Sequence, residues 1–153
     1  MEVLERILER IMRLWEWRLV EAATLEPAAR RKELGAFGWW FAAEAFPEDW
    51  AIAQLERALT EGGGADADHL VAERIRTVSE RYPREAVVCM RLMAAGDDEG
   101  WGIIGWRDEA RSAITTAMAS GNADARAAAE ALVNYLGTRG HLEFRDLLPH
   151  PPV

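Results

Sequence analysis

Apolar residues recur at spacings of three and four along nearly the whole chain, and nowhere do they alternate with a period of two. A helix completes a turn in 3.6 residues, so a one-sided apolar stripe returns every three or four positions. Residues 2–24 are the first predicted helix. Leu4, Leu8, Ile11, Trp15, Leu19 and Ala22 share a stripe, and Val3, Ile7 and Leu14 widen it. Glu2–Arg6 and Glu9–Arg13 are i,i+4 pairs on the wet side. Arg18 falls inside the apolar arc, and Trp17 falls outside the stripe. A second helix is predicted from Ala28, after Pro27, to Phe46, before Pro47. Its later part, residues 36–46, is apolar all round except Glu44, so it belongs between neighbours. Gly35 and Gly38 weaken a helix there and predict close approach of another helix, or a kink.

Glycine and proline punctuate the remainder. Residues 48–61 are the third helix, with Trp50, Ile52, Leu55 and Leu59. Gly62-Gly63-Gly64 ends it and is expected to be the most flexible point of the chain. Asp66 or Asp68 caps a fourth helix, which carries Val71, Ile75, Val78 and Tyr82. Pro83 opens the fifth and Gly96 closes it; its residues 86–95 are apolar nearly all round and therefore central. A sixth helix covers residues 103–119, and Asn122 caps a seventh that runs to Leu136. A short amphipathic piece follows near 142–148, and the proline-rich end, 149–153, is expected to be disordered. The expected fold is all-α: about seven helices in antiparallel pairs, one domain over residues 1–148, built as an α-α superhelix or a layered bundle.

Composition narrows the chemistry. A chain of 153 residues suits one domain, and its single cysteine excludes disulfides and multi-cysteine zinc sites. Acids outnumber bases 26 to 18, for a net charge of −8. Residues 1–34 are balanced, so the whole excess falls on residues 35–153. An acidic body cannot neutralise phosphates, which argues against nucleic acid and against anionic membrane. No uncharged apolar run reaches 18 residues, and the start of the chain lacks signal-peptide features, so a cytoplasmic location is expected. Bases are almost all arginine, with Lys32 the sole lysine.

Residues 110–137 carry a resemblance. Ala110-Arg111-Ser112-Ala113-Ile114 leads to Ser120-Gly121-Asn122-Ala123-Asp124-Ala125-Arg126, then to Ala129, Leu132 and Leu136-Gly137. This resembles a HEAT-type helical repeat, with Ala123 where the repeat usually has proline and one residue fewer between Arg126 and Leu132. More broadly, Leu14-Trp15-Glu16-Trp17-Arg18, Phe37-Gly38-Trp39-Trp40-Phe41 and residues 140–148 look like C-terminal helical segments of large bacterial multidomain proteins. Many of those carry NTPase or effector domains linked to defence or signalling. The resemblance implies a helical-repeat region without catalytic parts.

Candidate sites follow from residues that the fold does not need. There are seven tryptophans. Trp15 and Trp106 lie on core stripes, whereas Trp17, Trp40 and Trp101 are candidate partner-binding anchors, because surplus tryptophan concentrates at interfaces. Trp39 and Trp40 point about 100° apart, so both cannot face one neighbour. Glu44, a carboxylate in an apolar helix, is expected to form a structural ion pair with Arg18. Asp97, Asp98 and Glu99 read as a solvated loop and not as a metal site. Cys89 reads as an inert core thiol. HExxH, GxSxG and P-loop patterns are absent. The expectation is a non-enzymatic protein-binding module or scaffold without cofactor or metal. Its tryptophans would lie within an acidic rim that selects a basic partner. The alternatives are a structural subdomain or homo-oligomerisation module of a larger protein and, behind it, a ligand-binding or enzymatic bundle around Glu44 and Arg18.

Overall fold

The computed structural model describes residues 1–150. Eight α-helices follow one another: α1 (Glu2–Ala22), α2 (Pro27–Gly35), α3 (Phe37–Ala42), α4 (Glu48–Gly62), α5 (Asp68–Val78), α6 (Pro83–Ala95), α7 (Arg107–Ala119) and α8 (Ala123–Thr138). Short 3₁₀ turns cover Gly102–Trp106 and Arg145–Leu147. No strand occurs among the described residues. The all-α expectation holds, and the elements start where the sequence punctuates. Pro27 and Pro83 stand in first turns, and the Asn122 side chain accepts from the Asp124 and Ala125 amides, capping α8.

Alternate helices pack side by side. α2, α4, α6 and α8 make one layer; α3, α5 and α7 make the other. α6 touches α4, α5, α7 and α8, which is why its residues are apolar nearly all round. Val87, Cys89 and Met90 are wholly buried there, and Val71, Ile75, Ala110, Ile114, Leu132 and Val133 complete the same core. α1 stands at the end of the stack and packs mainly on α2. Two bidentate pairs tie turns to helices. Arg81 donates to Glu48 at 2.6 and 2.7 Å, and Arg111 donates to Asp146 at 2.9 and 3.1 Å.

Four expectations need correction. The second predicted helix is two, broken at Ala36. Neither Asp66 nor Asp68 caps α5: Ala67 stands at the cap position, Asp68 is the first helical residue, and Asp66 donates its amide to the Gly35 carbonyl at 2.9 Å. The loop so held runs against α3: a Cβ on Gly38 would sit 2.1 Å from the Asp66 carbonyl oxygen. The glycine triplet is correspondingly packed and not loose. A Cβ on Gly96 would meet the Gly63 oxygen at 1.6 Å, and Arg31 reaches across to the Gly96 carbonyl at 2.6 Å. Finally, the sixth predicted helix begins as a 3₁₀ turn and becomes α-helical only at Arg107. Of the tail expected to be disordered, Pro149 and His150 are outside any helix, and residues 151–153 lie outside the described residues.

Candidate interaction face

An aromatic cluster fastens the C-terminal part of α1. The Trp15 ring is fully buried and stacks on Phe37 at 4.5 Å between centroids. Trp40 lies 5.5 Å from Trp15 and stacks on Phe46 at 5.7 Å, and Phe46 meets Trp50 at 5.2 Å. Trp50 Nε1 donates to Glu16 at 2.9 Å, closing the cluster back onto α1. Arg18 lies over the Trp15 ring and donates to Glu33 of α2, at 2.8 Å through Nε. Trp15, Leu19 and Ala22 are the only buried residues of α1. All belong to its second half.

The other face of α1 and the whole circumference of residues 2–7 stay in water, while Leu8, Ile11 and Met12 are half-buried on the packed side. Val3 is 69% exposed, Leu4 60%, Ile7 48%, Leu14 51% and Trp17 57%. At 100° per residue, Val3, Ile7, Leu14 and Trp17 fall within an arc of about 80° beside the buried one. Arg10 lies inside this arc, as does Glu21 one turn beyond Trp17, and Arg6 and Arg13 run along its outer edge with Glu2 just beyond them. The carboxylates of Glu5, Glu9 and Glu16 lie farther round. Glu2 holds Arg6 at 3.6 Å and Glu9 holds Arg13 at 3.4 Å, both in the open, while Arg10 has no ion-pair partner among the described residues. The stripe is thus a coiled-coil-like seam, spaced four, seven and three, with a basic border. Its border differs from the acidic rim expected around the tryptophans. The acidic excess belongs to residues 35–153, which leave this part of α1 uncovered.

The remaining candidates scatter. Trp101 is 68% exposed in the loop after α6, far along the chain from Trp17. Trp40 is only half-buried, yet its ring is occupied by Trp15, Phe37 and Phe46. Its neighbour Trp39 is the exposed one, and adjacent positions on a short helix made the choice between them invisible in sequence. The expected Arg18–Glu44 pair does not form: Arg18 pairs with Glu33, and Glu44 pairs with Arg74 at 3.1 Å. The break at Ala36 and the turn after α3 carry Glu44 to α5 instead. Glu44 adopts φ 59°, and Arg74, buried, lies over the Phe41 ring. Ala42, Glu44, Leu70, Glu73, Arg74 and Thr77 line a cavity of about 180 Å³ there, with no histidine, serine or cysteine among them.

Asp97 is committed to the loop itself, accepting the Gly102 amide at 2.5 Å, and Arg139 holds the Asp97 carbonyl at 2.6 Å. No group of three His, Cys, Asp or Glu side chains is placed to hold a metal among the described residues. Burial pushes the Cys89 thiol well above its ordinary pKa, so it stays protonated. No helix is long and apolar enough to cross a membrane among the described residues. The sequence signal for α1 was present all along, in an apolar arc wider than one neighbour needs and interrupted by Arg10. Comparison with known families, curated proteins and solved structures finds no match for this chain.

Proposed function

We propose that this chain is a non-enzymatic protein-binding module that docks a partner protein on the exposed stripe of α1. A single observation carries the reading: Val3, Ile7, Leu14 and Trp17 are exposed on one face of a helix, and residues 2–7 of that helix are exposed all round. Large exposed apolar side chains gathered on one face are the kind of patch that marks an interaction site. The aromatic cluster behind Trp15 holds the C-terminal half of this helix, with Leu14 and Trp17, rigid, and rigid aromatic anchors suit interface centres. The layered stack, α2 to α8, serves as the scaffold that holds α1 at its end. A role within a bacterial defence or signalling system belongs to the same proposal, on the resemblance alone.

The test is capture with purified wild-type chain and with the Ile7→Glu, Leu14→Glu double variant. Both positions are exposed, so the variant should unfold at the wild-type temperature within a few degrees. A stoichiometric protein captured by the wild type and lost in the variant is the expected result. Equal capture by both would sink the docking face.

A further inference from the structure

The border of the stripe says what kind of partner fits. We infer that α1 takes an amphipathic helix whose apolar seam is flanked by acidic residues; this rests on the docking face proposed above. Val3, Ile7, Leu14 and Trp17 repeat at coiled-coil spacing, so the complementary surface is another helix. Arg6 and Arg13 border that seam with side chains about three-quarters exposed, 73% and 74%. Arg10 stands within it, with no ion-pair partner among the described residues. Carboxylates flanking the seam of the incoming helix would meet Arg6 and Arg13, and Arg10 would reach them from within the seam by its long side chain. The i,i+4 pairs that now engage Arg6 and Arg13 are exposed and worth only tenths of a kcal/mol, so they yield readily to a better-placed acid.

The same geometry disfavours a second copy of this chain. Antiparallel two-fold pairing of α1 brings like edge against like edge, setting Arg6 and Arg13 against the same arginines and Arg10 near its own copy. A membrane surface is disfavoured by charge. The stripe would meet anionic lipid through three arginines, while residues 35–153 bring a net −8 to the same surface.

Two designed 21-residue peptides test this directly. Both carry one Leu/Ile heptad seam; one has Glu at the flanking positions and the other Lys. Binding to the full chain is read by fluorescence anisotropy at low salt. The Glu peptide should bind at least about tenfold more tightly than the Lys peptide, the sum of a few exposed charge pairs. The triple variant Arg6→Glu, Arg10→Glu, Arg13→Glu should reverse that order while keeping the wild-type circular dichroism and melting temperature. In 0.5 M salt the preference should shrink. Equal binding of both peptides, unchanged by the triple variant, overturns the acidic-partner inference and leaves the docking face standing. Binding of neither peptide overturns the inference, and the capture experiment above then decides the face separately. Concentration-dependent dimerisation lost in the triple variant assigns the stripe to a second copy. Binding to phosphatidylserine vesicles with neither peptide bound assigns it to a membrane. Either result overturns the inference.

Discussion

Gly38 shows how far a single residue can depart from its intrinsic preference. Within an exposed helix, alanine is favoured over glycine by about 1 kcal/mol. In α3 the added methyl group would lie 2.1 Å from a backbone oxygen of the 62–67 loop, which cannot swing aside as a side chain can. Gly38→Ala should therefore destabilise the fold by about 2–3 kcal/mol in urea unfolding. Gly105→Ala is the matched control: a Cβ there meets nothing within 4 Å, so it should be neutral or slightly stabilising. Glu44 is a second local test. Its left-handed backbone is strained for glutamate, and its carboxylate answers a guanidinium that is 8% exposed. Glu44→Asn suits the backbone but removes the charge, and should cost about 1 kcal/mol. Adding Arg74→Met should recover most of that loss, because it removes the unpaired buried cation. If the double variant is no more stable than Glu44→Asn alone, the pair is not what keeps Arg74 buried.

At the scale of elements, α1 should behave as two pieces. Isolated helices shorter than about 12–15 residues are marginal in water, and residues 2–7 are exposed on every side. Amide exchange of residues 5–8 should be fast and that of residues 16–22 slow, with protection rising through the half-buried Leu8, Ile11 and Met12; uniform protection would show that α1 is covered in solution. The bidentate pairs make a pH prediction. Hydrogen bonding from Arg81 lowers the pKa of Glu48 below 4.5, and Arg111 lowers that of Asp146 below 3.8. A carboxyl with a depressed folded pKa stabilises fully above its unfolded value, and that contribution is lost as pH falls through the folded one. The anchoring of the α5–α6 turn and of the 143–148 segment should thus weaken only below about pH 4. Carboxyl titration by NMR should place both groups below the other exposed carboxylates, and Arg111→Gln should return Asp146 to its ordinary range.

Elements were also the scale most legible in sequence. Proline, glycine and the Asn122 cap marked where helices start and stop, because those signals act within one turn. The break at Ala36 was signalled only as a kink or close approach at Gly35 and Gly38, because the contact that accompanies it, Asp66 bonding Gly35, comes from about 30 residues away. Ion pairing divided in the same manner. Glu2–Arg6 and Glu9–Arg13 were read from spacing, whereas Arg18–Glu33 and Glu44–Arg74 needed the tertiary arrangement. The candidate face was half legible. Trp17 was singled out as lying off the stripe, but Val3, Leu4 and Ile7 read as core, because periodicity reports which side of a helix is apolar and not whether anything covers it.

For the molecule as a whole, the two layers make Cys89 a reporter of global opening. Its thiol is fully buried at the centre of α6 and held protonated. A thiol reagent such as DTNB should leave the native protein untouched and react only as urea unfolds it, in step with the loss of helical circular dichroism. Labelling well before the helices melt would show that the layers part independently.

The arginine border of α1 has one more consequence. Guanidinium groups keep their proton across every pH a cell reaches, and they are not substrates for lysine acetylation or ubiquitination. The chain's only lysine, Lys32, lies on α2, outside the stripe. The charge pattern of this face therefore has neither a titration switch nor an acyl switch. A contact made here would hold its charge across the pH range of a cell and would not be released by acylation.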